Sequence, residues 1–166
     1  MQDSKLLIAG TISGATNAIT GQSVAGAAGT AILSSYSIDT TPQGGLANNL
    51  GSDWGEGTPL YLKWLVQAAI VGASGGVKVD VVTDSAAGLT TTPTVLASAT
   101  IPTGAYAAGS WGYVAIPPVI GGVGQEFLGC QFTPLATNST AGVVVAEITN
   151  QIDDPKNFYR SGFSVT

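Results

Sequence analysis

The chain has 166 residues, is 45% hydrophobic, and carries five Lys and Arg against ten Asp and Glu, with no histidine and a net charge of −5. Charged residues occupy 9% of positions, against about 25% in an average soluble domain. This composition argues against intrinsic disorder, which goes with low hydropathy and high net charge, and against nucleic-acid binding, which needs clustered basic residues where Lys5, Lys63, Lys78, Lys156 and Arg160 are scattered.

Beta-branched residues and glycine punctuation dominate the chain, and helical periodicity is nowhere sustained. Lys5 to Ile12 predicts a strand. Its short apolar run, broken by Gly10 and Thr11, is too brief for a secretion signal, so we expect an uncleaved strand or arm. Ser13 to Gly29 is small and polar, either an extended arm or a pair of weak strands. Thr30 to Asp39 predicts a strand with Ile32, Ser34, Tyr36 and Ile38 on one face. Thr40 to Thr58, rich in glycine, is a long loop, and long ordered loops tend to be functional.

Leu60 to Val71 is the clearest strand: Leu60, Leu62, Trp64 and Val66 alternate with Tyr61, Lys63, Leu65 and Gln67. A turn at Gly72–Gly76 leads to Val77, Val79 and Val81 alternating with Lys78, Asp80 and Val82, the pattern of a half-buried antiparallel strand. Asp84 to Pro93 is a loop. Further strands are expected at Thr94–Ile101, Ser110–Ile116, Gln125–Thr133 and Gly142–Thr149, followed by a tail. About eight strands with regular turn signals predict an all-β, antiparallel, jelly-roll-like sandwich. The expected organisation is one domain, with residues 1–29 as a strand or arm packed on it, 30–150 as the sandwich and 151–166 as the tail. No window of about 20 residues is continuously apolar, so no membrane-spanning helix is expected.

Residues that carry chemistry are few. Without histidine, a Ser-His-Asp or Cys-His arrangement is excluded, and a single cysteine provides no zinc or iron site. Cys130 is expected as a small buried hydrophobe. Asp53 and Glu56 flank Trp54 as the one carboxylate pair a sugar hydrolase could use, but a solvated turn explains them better. Asp153-Asp154 is read as a turn before Pro155, since calcium needs more oxygen ligands at close spacing. The glycine runs at Gly72–Gly76 and Gly121–Gly124 lack the Lys and Ser or Thr of a phosphate loop. We expect no catalytic residue, no cofactor and no metal.

The sparse charge points elsewhere. A monomer of this length exposes roughly 7,500 Å², so its charges stand about one per 500 Å², where an ordinary domain has about one per 180 Å². Such a surface calls for cover by other copies or by a larger partner. The candidate contact residues are Leu6 and Ile8 in the first strand, Trp54 and Tyr106 in loops, and Phe158, Tyr159, Arg160 and Phe163 in the tail. Three tail rings are worth roughly 1.5–3 kcal/mol each when buried, which favours docking of the tail, for example by strand addition.

Several segments together resemble one family. They are Gly55-Glu-Gly-Thr-Pro-Leu-Tyr-Leu-Lys-Trp64, Val77-Lys-Val-Asp-Val-Val-Thr83, Thr94-Val-Leu-Ala-Ser-Ala-Thr-Ile-Pro102, Ala141-Gly-Val-Val-Val-Ala-Glu-Ile148 and the tail that begins Asp153-Asp-Pro. From about Ile38 onward the chain resembles the capsid cement, or decoration, proteins of Bordetella-type tailed bacteriophages. Ser13–Gly29 and Thr40–Ser52 are longer than the family pattern. The resemblance implies a jelly-roll-like sandwich made in the host cytoplasm and carried on the outer capsid surface. It implies the major capsid protein as partner, and self-association as a dimer or, as second choice, a trimer. The alternatives are a carbohydrate-binding or adhesin sandwich and another phage head or tail subunit.

Overall fold

The computed structural model describes residues 6–13, 18–40, 58–118 and 126–152. The chain is an all-β antiparallel sandwich. Its long strands are β7 (Leu60–Gly72), β8 (Val77–Asp84), β9 (Thr94–Ile101), β10 (Trp111–Ile116), β11 (Phe127–Pro134) and β12 (Ser139–Thr149). Six short strands precede them: β1 (Leu7–Ala9), β2 (Thr11–Ile12), β3 (Ile19–Thr20), β4 (Gln22–Ser23), β5 (Ile32–Leu33) and β6 (Ile38–Asp39). One sheet runs β1-β12-β7-β10, with β4 also on β12; the other runs β5-β11-β8-β9, with β6 also on β11. A separate two-stranded ribbon joins β2 to β3.

Alternation of side chains dictates the core. Leu62, Trp64 and Val66 of β7 meet Val144, Ala146 and Ile148 of β12 in one layer. Val77, Val79 and Val81 of β8 and Leu128, Cys130 and Phe132 of β11 form the other. Ile8, Ala9 and Val24 join the same cluster, so the N-terminal strands share the core of the sandwich. The largest ring in this core needs space opposite it. Gly112 of β10 stands directly across from Trp64 in register, and a Cβ there would lie 2.5 Å from Trp64 Cζ2.

Three expectations are revised. The first strand is broken at Gly10, whose φ of +121° turns the chain, so β1 stays in the sheet while β2 leaves it. The segment from Thr30 to Asp39 is two short strands. Between them Ser34 donates its backbone N–H to Cys130 O, and Tyr36 donates to Ile8 O, so the backbone changes partner from β11 to β1 and back. Tyr36 is accordingly exposed, while Ile32 and Ile38 pack on the core. Finally, β8 is not half-buried: Asp80, Val82, Thr83 and Asp84 are as inaccessible as its core-facing valines.

Substitution Gly112→Ala should lower stability by about 1–3 kcal/mol through forced displacement of the Trp64 ring. Urea unfolding measures this; an unchanged midpoint would show that the ring has room to move.

Candidate interaction surface

The outer faces of the two sheets hold the polar chemistry of the chain. On the β7 sheet, cross-strand register places Glu147 opposite Lys63, and Lys63 opposite Tyr113. Lys63 Nζ lies 3.0 Å from Glu147 Oε1, with both side chains about nine-tenths buried. Truncating one partner of such a pair strands a buried charge, at a cost on the order of 3–5 kcal/mol. The pair therefore ties β12 to β7 in one register.

Around the pair lie three aromatic rings. Trp111 and Tyr113 are two residues apart on β10 and project to the same face; their centroids are 6.3 Å apart and their planes 27° from parallel. Tyr61 on β7 meets Tyr113 edge-on, at 5.7 Å and 89°. Tyr113 is 46% exposed. Farther along β7, Gln67 holds the arm: its Oε1 accepts the Gly21 N–H at 2.7 Å, and its Nε2 donates to Ile19 O at 2.7 Å.

On the β8 sheet, two carboxylates face outward yet are fully buried. Asp80 accepts from Ser98 Oγ at 2.5 Å and Gln131 Nε2 at 2.9 Å, and pairs with Lys78 Nζ at 2.9 Å. Asp84 organises the loop that follows β8. It accepts the backbone N–H of Thr91 at 2.8 Å and of Thr92 at 3.1 Å, with Ser85 Oγ and the Ala86 N–H at longer range. The loop carries Leu89, with φ +55° and 1% exposure, against the open site of Gly129. Burial would raise the pKa of both carboxyls, but the hydrogen bonds outweigh it and hold each below its ordinary value of 3.8.

The residues singled out from sequence are dispersed. Leu6 is 39% exposed at the start of β1, and its carbonyl accepts the Ile148 N–H. Ile8 is fully buried in the core. This corrects its reading as a contact residue, because its side chain is enclosed by its own sandwich. Tyr106 is half-buried, packs on the core and donates its hydroxyl to Ala73 O at 2.6 Å; its ring and hydroxyl anchor the β9–β10 connection to the end of β7. Trp54, Phe158, Tyr159, Arg160 and Phe163 lie outside the described residues, as do Asp53, Glu56, Asp153, Asp154 and Gly121–Gly124. The Tyr61–Tyr113–Trp111 row is not among the contact residues expected from sequence. The alternation of Trp111 and Tyr113 with Gly112 and Val114 was the available signal for two of the three rings.

Cys130 is enclosed in the core and its thiol is pushed up to about 12 by burial, only partly offset by a hydrogen bond with Ser34; it is an inert packing group. Among the described residues, no three His, Cys, Asp or Glu gather as a metal site, no helix is long and apolar enough to cross a membrane, and no buried side-chain polar atom lacks a hydrogen-bond partner. Compared with protein-family models and with curated proteins, the chain matches none.

Because Asp80 and Asp84 bind protons less readily folded than unfolded, they stabilise the fold fully above the ordinary carboxylate range. That contribution is lost as pH falls through 3.8 and below. Asp84→Asn should cost about 1.5–3 kcal/mol at neutral pH and flatten the acid limb of stability against pH. Urea titrations at several pH values test this; parallel acid limbs for variant and wild type would contradict it.

Proposed function

We propose that this chain is a non-enzymatic structural protein of a tailed-phage head, a cement protein on the outer capsid surface. It binds the major capsid protein, associates with further copies of itself and holds neighbouring capsomers together. The observation that carries this reading is the distribution of charge. Of the charged residues described, Lys63, Asp80, Asp84 and Glu147 are buried, which leaves Asp39, Lys78 and Glu126 to face the surroundings. With so few outward charges among the described residues, the sandwich is poorly suited to standing alone in water and well suited to being covered.

The wiring supports the same reading. The connections after β7, β9, β10 and β11 pass from one sheet to the other, in keeping with a jelly-roll-like sandwich. The mechanism is multivalent clamping. Each copy makes a modest, mainly apolar contact with the shell, and self-association makes the next contact intramolecular, raising avidity by roughly 10²–10⁴. Leu6, exposed just before β1, is a candidate for such contacts, and the Trp54 loop and the tail rings Phe158, Tyr159 and Phe163 are the others. A mature head under internal pressure gains from many such contacts without needing any strong one.

Contacts poor in charge are little screened by salt. Purified particles washed between about 0.1 and 1 M NaCl should therefore keep the protein at unchanged occupancy, as read by gel densitometry. Progressive release over that range would contradict the proposal.

A further inference from the structure

We propose that the row Trp111–Tyr113–Tyr61 on the outer face of the β7 sheet is a binding platform for a neutral oligosaccharide. A pyranose ring has two chemistries: C–H faces that pack on aromatic π-faces and hydroxyl edges that need hydrogen-bond partners. The row offers both. Trp111 and Tyr113, with centroids 6.3 Å apart and planes only 27° from parallel, form a stacked aromatic pair on the edge strand β10. Tyr61 stands at 89° to Tyr113 as a wall beside it. The Trp111 indole N–H and the two phenol hydroxyls supply polar groups around these ring faces.

The charge pattern selects the ligand class. The charged groups in register with the row are Lys63 and Glu147, and they neutralise each other at 3.0 Å beneath it. Among the described residues, the face thus presents neither a basic cluster for a phosphorylated or acidic sugar nor an unpaired carboxylate for a cationic one. The strand that carries two of the rings is anchored from its inner side. Gly112 and Val114, which alternate with Trp111 and Tyr113, turn inward, with Gly112 against Trp64 and Val114 packed on the core. A fixed strand lowers the ordering cost of binding. This activity is separate from capsid attachment.

The test is a titration of the full-length protein with neutral homo-oligosaccharides of glucose, galactose, mannose and N-acetylglucosamine, with oligogalacturonate as the charged control. Saturation-transfer NMR and calorimetry are the readouts. At least one neutral series should bind saturably at concentrations up to about 10 mM. Affinity should fall about tenfold or more in Tyr113→Ala and in Trp111→Ala. It should be largely kept in Tyr113→Phe and unchanged between about 0.1 and 1 M salt. Should Trp111→Ala fail to fold, Tyr113→Ala decides, because Tyr113 is the more exposed ring. No binding by any neutral series, a preference for the charged oligomer, or binding that survives the alanine substitutions would overturn the proposal. So would loss of particle retention in these variants when the wild type binds no sugar, an outcome that would assign the face to a protein partner. The salt wash of particles reads the cement function independently of all these outcomes.

Discussion

Strand β8 buries nearly all of both faces and β7 buries Lys63 on its outer one, and a strand can do so only if the polar groups on its second face find partners within the chain. In β7 that requirement is met by Lys63 and Glu147, paired across the sheet. In β8 it is met twice. Asp80 is held by Lys78, Ser98 and Gln131, and Asp84 is held by the backbone of its own following loop. These arrangements draw together strands far apart in sequence; Gln131 reaches Asp80 from 51 residues away. They also take scarce charges from the surface. The same interactions that fix the registers of the sandwich take four of the charges among the described residues out of the surface, and that sparse exterior underlies the proposed function.

The parts of the fold legible in the sequence are those set by local alternation. β7, β9 and β10 fall where the pattern of apolar and polar residues puts them, and Leu62, Trp64 and Val66 point inward as the period of two requires. What sequence does not show is which polar residues on the second face will be covered. Lys78 and Asp80 alternate with valines as they would on a solvent-facing strand. The burial of Asp80 depends on Ser98 and Gln131, whose approach is a matter of topology. The breaks in the N-terminal half have a similar origin. Gly10 was visible as a break, but the change of partner at Ser34 and Tyr36 follows from the positions of β11 and β1 and has no local signature.

The candidate surface was legible to the same extent. Loop aromatics were expected to be the contact residues, on the principle that loops carry function. Tyr106 is instead committed to its own fold through Ala73, whereas strand residues Trp111 and Tyr113 present their rings outward. Their two-residue spacing was readable; the third ring, Tyr61, joins them only because β7 pairs with β10 in the observed register. Ile8 shows the opposite case. An apolar residue in a short terminal strand looks available for a partner, yet β1 pairs with β12 at the margin of the core and Ile8 completes that core.

A sandwich whose exterior is this poor in charge should find its neighbours when they are offered. The most direct test is the mass of the full-length protein in solution by light scattering, paired with co-sedimentation on empty phage shells that lack it. Self-associated species and saturable, salt-insensitive attachment to the shells are the predicted results. A highly soluble single subunit that leaves the shells bare would contradict the account.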